Sequence, residues 1–191
     1  GAVAATDRRS SGAYVDDETF EWKIEDQISS RFGDRVHVNV VSFNRVVVLA
    51  GEAPDQATKD ELTRIAESNA NVRNVVNDVV IGPNSSFGSR SNDAVITSKI
   101  KGRFVDQATF GVTHVKVYTE AGTVFLMGLV TRREADAATE VARSTSGVVK
   151  VVRVFEYIAD NQAQKMDSQP AQGQAATAQP TDGQAVVQPV H

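Results

Sequence analysis

The sequence predicts an α+β fold made of two tandem αββαβ domains, each a three-stranded mixed sheet packed by two helices. Three observations predict it. The chain repeats itself at an offset of 76 to 77 residues: Val46-Val47-Val48-Leu49-Ala50-Gly51 falls on Thr123-Val124-Phe125-Leu126-Met127-Gly128. Each copy opens with apolar residues every fourth position, Phe20, Ile24, Ile28 and Ile96, Ile100, Phe104, the spacing of a buried helical stripe. Strict alternation follows, Val36-x-Val38-x-Val40 and Thr113-x-Val115-x-Val117, the pattern of a half-buried strand.

In chain order, residues 1–14 are small and polar and read as a flexible tether. The first domain spans 15–82. Asp17 is a good N-cap type for its first helix, as Asp93 is for the equivalent helix of the second copy. Asn44 and Glu120-Ala121-Gly122 supply the hairpin turns. Gly51 and Gly128 end the second strands at matching positions and read as structural glycines. Second helices are expected over 55–69 and 132–146, with Leu62, Ile65, Ala66 and Ala138, Val141, Ala142 facing inward. A Val-rich strand closes each copy. Residues 83–90, rich in Gly, Pro and Ser, form a linker. The second domain spans 91–159, and a Gln-, Ala- and Pro-rich tail over 160–191 is expected to be disordered.

Composition narrows the function. The 191 residues carry 20 basic and 24 acidic side chains, a net charge of −4, so no global excess of cations exists to hold a nucleic acid. Cysteine is absent, which excludes disulfides, thiolate catalysis and Cys-ligated zinc. The longest apolar run, 46–50, is far short of the roughly 20 residues of a membrane helix. No Gly-rich phosphate loop, Gly-x-Ser-x-Gly elbow or His-Glu-x-x-His motif occurs, so no catalytic residue, metal site or cofactor is assigned. His37 and His114 occupy matching positions, alternate with the inward valines and are expected to face away from the core in incidental roles.

The strand ends Leu49-Ala50-Gly51 and Leu126-Met127-Gly128, with the Val-x-x-Val entries Val72-Arg73-Asn74-Val75 and Val148-Val149-Lys150-Val151, resemble the BON domain, a small module of bacterial envelope proteins. The flanks extend the likeness. Ala4-Ala5-Thr6-Asp7-Arg8-Arg9-Ser10 ahead of Val15-Asp16-Asp17, and Ser91-Asn92-Asp93, are similar to the dual-BON outer-membrane lipoproteins associated with division and envelope stress. The resemblance covers residues 4–159. It implies a non-enzymatic, monomeric protein on the periplasmic face of the outer membrane and at the division site. It also implies a lipidated cysteine upstream of Gly1, and support of membrane integrity. Its implied partner is anionic phospholipid of the phosphatidylglycerol kind in the inner leaflet of the outer membrane, met by the first helix of the second domain. Protein partners are not implied by any residue. Two other readings stand beside it: a periplasmic protein-interaction scaffold, or a soluble stress protein without specific lipid binding.

Charge distinguishes the two first helices. Residues 16–32 carry Asp16, Asp17, Glu18, Glu21, Glu25 and Asp26 against Lys23 and Arg31, a net of −4; residues 90–106 carry Arg90, Lys99, Lys101 and Arg103 against Asp93 and Asp106, a net of +2. Only the second suits an anionic surface, where each nearby cation contributes about 1 kcal/mol. Val95 and Gly102 project away from the Ile96–Ile100–Phe104 stripe with Lys99 on their flank, so Val95, Ser98, Lys99, Gly102 and Arg103 are the candidate lipid contacts. Trp22 lies about 160° from its own stripe at 100° per residue and is expected to pack against the other repeat or the N-terminal arm.

Overall fold

In the computed structural model, which describes residues 7–169 and 186–190, each repeat opens with a helix longer than its apolar stripe. Helix α1 runs Ser11–Phe32 and is followed by a short 3-10 turn. Strands β1 (His37–Phe43) and β2 (Val46–Ala53) form an antiparallel hairpin. Helix α2 (Gln56–Glu67) is capped by the Asp55 side chain, which accepts the Thr58 N–H. It returns the chain to β3 (Asn74–Asn77) and β4 (Val80–Ile81), both parallel to β2. The second repeat follows the same path: α3 (Phe87–Val105), β5 (Val115–Glu120), β6 (Thr123–Val130), α4 (Arg132–Arg143) and β7 (Lys150–Tyr157). Helix α5 (Asp160–Asp167) and strand β8 (Val186–Val190) come after it. The chain forms two units, Ala13–Arg90 and the segment up to Gly12 together with Ser91–His191. The two mixed sheets and packed helices are the α+β tandem repeat that the periodicities predict.

Each unit has its own core. Phe20, Ile24 and Ile28 of α1 pack with Val40, Val47, Leu49, Leu62 and Ala66. Ile96, Ile100 and Phe104 of α3 pack with Val117, Val124, Leu126, Ala138, Val141, Ala142 and Phe155. Trp22 is 63% exposed, outside the core of its own unit as its helical phase requires.

Asp17 and Asp93 are not N-caps. The helices begin earlier, at Ser11 and Phe87, so both aspartates lie within a helix and are buried. Each braces the hairpin turn of its repeat. The Asp17 carboxylate accepts the N–H groups of Asn44 and Arg45, both at 2.7 Å, and the Ser42 hydroxyl. Asp93 accepts the N–H groups of Ala121 and Gly122 at 2.8 and 2.9 Å. These turn residues all have positive φ, 51°, 66°, 49° and 80° in order, as a tight hairpin turn with both central residues left-handed requires. A carboxylate at that spot satisfies donors that the turn would otherwise bury unpaired. Asp93→Ala is expected to cost about 3 kcal/mol, one charge-assisted hydrogen bond at each of two N–H groups, read by urea unfolding.

Four expectations need correction. Residues 87–90, expected as part of an irregular linker, are helical and form the first turn of α3. The first unit's last strand is split into β3 and β4, because Asp78 donates to the Leu49 carbonyl while Val79 turns into the core. The tail is structured in two places: α5 packs through Ala163, and β8 adds a fourth strand along β7. The expected disorder over 170–185 lies outside the described residues. The N-terminal segment is no tether from residue 7 onward: Arg8 is buried at 6% exposure, in the unit built on the second repeat. The part of the tether over 1–6 also lies outside the described residues.

Candidate functional site

The face of α3 turned from the core carries the predicted contacts. Val95 is 51% exposed, and Ser98, Lys99, Gly102 and Arg103 are all exposed. Four of them share an open basin of about 460 Å³, lined by Ser98, Lys99, Gly102, Arg103, Asp106 and the Ser144-Thr145-Ser146 run after α4. Val95 lies two turns before Gly102 on the same helical face.

Each side chain has a local reason for its place. Arg103 reaches across to the C-terminal end of α4, donating to the Val141 carbonyl and the Thr145 hydroxyl at 2.8 Å and to the Ser144 hydroxyl at 3.1 Å. A cation there satisfies a terminal carbonyl and complements the helix dipole. Arg103 is thus held rigidly at the rim. Nothing among the described residues pairs with the Lys99 ammonium. Gly102 meets no atom within 4 Å of where a Cβ would stand, so packing does not require glycine there; its bare backbone keeps the basin floor open. Asp106 places one carboxylate opposite the two cations, leaving the basin a net charge of +1.

Part of the charge contrast between α1 and α3 has another cause. Glu25 and Glu21 of α1 accept the backbone N–H groups of Val40 and Ser42 on strand β1. At the matching positions of α3 stand Thr97, whose hydroxyl bonds that of Thr119 at 2.8 Å, and Lys101. The acidity of α1 is therefore partly structural.

The histidines differ from expectation. His114 is buried: Nδ1 accepts the Gly111 N–H at 2.9 Å, which places the ring proton of the neutral form on Nε2, 3.3 Å from Asp167. The Nδ1 of His37 lies 3.0 Å from Glu52 and 3.3 Å from the Ser85 hydroxyl. Carboxylate and hydroxyl meet the same ring nitrogen, so the trio cannot relay a proton from serine to acid as a hydrolase triad does.

Arg8 was missed by sequence reasoning. All five of its N–H donors are used. Nε and Nη2 bond the Asp167 carboxylate at 2.8 and 2.9 Å, Nη1 and Nη2 bond Glu134 at 2.8 Å, and Nη1 also bonds the Leu129 carbonyl at 2.9 Å. Glu134 completes a capping box with Thr131 at the start of α4. Burial acts to lower the Arg8 pKa, but hydrogen bonds from its fork to Asp167 and Glu134 raise it further, so the guanidinium stays charged. Burial pushes the Glu134 carboxyl up, but the hydrogen bonds from Arg8 and the Thr131 N–H outweigh it and hold Glu134 below its usual 4.5. A depressed carboxylate contributes stability above its unfolded pKa and loses it as pH falls through the folded value. The melting temperature is therefore expected to fall below roughly pH 5, with a shallower fall in Glu134→Gln. Equal acid slopes in both proteins would contradict this. The only sequence signals were Thr131-x-x-Glu134 itself and the Arg8-Arg9 pair in an otherwise small, polar segment.

The BON domain model matches residues 17–83 and 92–159, both repeats in full. The chain belongs to the BON-domain family. It is 39% identical over 163 residues to the outer membrane lipoprotein DolP of Haemophilus influenzae, covering 83% of this chain and 84% of that one. A 21 kDa hemolysin of Actinobacillus pleuropneumoniae is 36% identical, with 80% and 79% covered. The osmotically inducible protein Y of Escherichia coli is 27% identical, with 73% and 72% covered. This BON protein is a non-enzymatic component of the outer-membrane envelope. No helix among its described residues is long and apolar enough to cross a membrane.

Proposed function

We propose that the α3 basin of the second BON unit holds the headgroup of an anionic phospholipid at the inner leaflet of the outer membrane. The observation that carries the reading is the basin itself: two cations, three exposed serine hydroxyls and a bare glycine floor facing solvent in one place. Lys99 and Arg103 suit a phosphate, and the exposed hydroxyls of Ser98, Ser144 and Ser146 suit a polyol such as glycerol. Val95 and Val105, 51% and 69% exposed, lie on the same side of α3 and suit shallow insertion between headgroups. The relative named an outer membrane lipoprotein supports an association with that membrane. If this chain is likewise attached to the membrane, weak headgroup affinity suffices, because attachment raises the local lipid concentration.

Lys99→Glu tests the reading most cleanly, because Lys99 has no structural partner to lose. It is expected to weaken binding to phosphatidylglycerol vesicles roughly thirtyfold, at about 1 kcal/mol for the lost cation and as much again for the new repulsion, with thermal stability unchanged. Cosedimentation equal to the unsubstituted protein would sink the assignment. Arg103→Glu also removes the cap on α4, so its stability must be measured beside its binding. Gly102→Ala separates function from fold. It is expected to stabilise α3 by about 0.5–1 kcal/mol while narrowing the basin and weakening vesicle binding.

A further inference from the structure

The two units differ most at one sheet edge. In the first, β3 and β4 end the sheet among the described residues. In the second, the equivalent strand β7 is unbroken over eight residues and carries β8 along its outer side, antiparallel, from Phe155↔Val186 to Val151↔Val190. A BON unit therefore completes its fold without a strand in this place. Strand β8 is also a modest addition. It spans five residues against the eight of β7, Val187 and Pro189 point outward, and Val190 is half-buried against the main core. Sixteen Gln-, Ala-, Pro- and Gly-rich residues, 170–185, separate it from the rest of the unit.

Side-chain chemistry at the edge is unfinished. Gln188 stands directly opposite Arg153. Arg153 donates to the Tyr157 hydroxyl at 2.8 Å, which lies 3.1 Å from Gln188 Oε1. The same nitrogen, Nη2, also lies 3.2 Å from Asp136, whose side chain is 72% exposed. The Arg153 Nε–H is buried with no hydrogen-bond partner among the described residues. A neutral amide has been placed where a carboxylate would engage both the orphaned N–H and the phenol; directly opposed residues on paired strands are near enough for that.

We propose that the outer edge of β7 is a strand-acceptor site for an extended peptide of a partner protein, one with a carboxylate opposite Arg153 between flanking aliphatic residues, and that residues 186–190 are a resident strand which such a peptide displaces. Main-chain bonds to β7 give the affinity, and the alternate side chains facing Val151, Arg153 and Phe155 give the choice. Pro189 suits a resident strand, since a proline on the outermost strand offers no N–H to a further one. The tail competes at an effective concentration on the order of millimolar, as a short tether provides, so the site opens only to a peptide that binds better than Gln188 allows.

The test compares the intact chain with one ending at Ala185, using two synthetic peptides: residues 185–191 as they stand, and the same peptide with Glu in place of Gln188. The shortened chain is expected to bind the Glu peptide roughly tenfold tighter than the Gln peptide, as a charge-assisted bond predicts. The intact chain should bind both at least about tenfold more weakly. Arg153→Lys, which removes the Nε–H and keeps the charge, should abolish the preference for Glu. Amide exchange along β7 should accelerate on truncation and slow again with peptide. Absence of peptide binding to the shortened chain, affinity independent of the tail, or unfolding on truncation each overturns the proposal. So does dimerisation of the intact chain that is lost with the tail, which would assign the edge to the tail of a second copy. In the intact chain, Gln188→Glu should slow β7 exchange several-fold by engaging the Arg153 Nε–H; unchanged exchange also overturns it.

Discussion

Arg8→Ala is expected to destabilise the unit built on the second repeat by about 3–5 kcal/mol, the usual cost of leaving a buried carboxylate without its cation. The side chains of Arg8 and Glu134 are 1% and 7% exposed, so water cannot take over from the lost partner. The Asp167 limb counts for less: that carboxylate is 36% exposed, and screening reduces such a pair to about 1 kcal/mol or below. Asp167→Asn should therefore be mild and Arg8→Ala severe, with a fall in melting temperature of roughly 15 °C or more for a unit of this size. Glu134→Gln and Arg8→Ala should combine to less than their sum, because each removes the same buried contact. If the arginine variant melted within 2–3 °C of the unsubstituted chain, a range that corresponds to well under 1 kcal/mol, the clasp would be ornamental. Loss of Arg8 should also release residues 7–10, seen as new protease cleavage in the N-terminal segment.

The second large effect is expected at Gly51. Its φ is +139°, a conformation closed to other residues, and a Cβ there would fall 1.9 Å from the His37 carbonyl oxygen. Backbone on the paired strand cannot swing aside as a long side chain can. Gly51→Ala is expected to cost at least about 3 kcal/mol, overpacking and backbone strain together, and to lower the urea midpoint of the first unit. Gly128, its counterpart, would bring a Cβ to 2.5 Å from the His114 carbonyl oxygen, without the positive φ. Gly128→Ala should be the milder of the two. Equal and small effects at both would mean that β1 and β5 shift freely against their partners.

Comparison of the two repeats explains what could be read early. Residues whose role is repeated by periodicity were legible: the Phe20–Ile24–Ile28 and Ile96–Ile100–Phe104 stripes, the alternating strands, both hairpin turns and the paired glycines, although Gly51 and Gly128 lie inside β2 and β6 rather than ending them as expected. Val95, Ser98, Lys99, Gly102 and Arg103 were placed on one helical face by angle alone, and that face is exposed. Ser144, Thr145 and Ser146 were not foreseen, because they follow another helix, 45 or more residues beyond Lys99, and only the docking of α3 on α4 brings them to it. Asp17 and Asp93 were assigned the right residue type and the wrong task. An aspartate ahead of an apolar stripe looks like a cap whenever the helix is assumed to start with the stripe.

By itself the sequence determined the duplication, the αββαβ order, the two cores and the exposed cationic face, since each follows from spacing within one element or between two copies of it. Tertiary structure alone decided the rest: that Arg8 closes on Glu134 and Asp167, that buried aspartates hold the turns, and that a strand from the far end of the chain lies along β7. Those contacts join residues separated by 126, 28 and 39 positions. Nothing in local periodicity records which distant groups meet, because that depends on the directions in which packed helices and strands leave a core already formed.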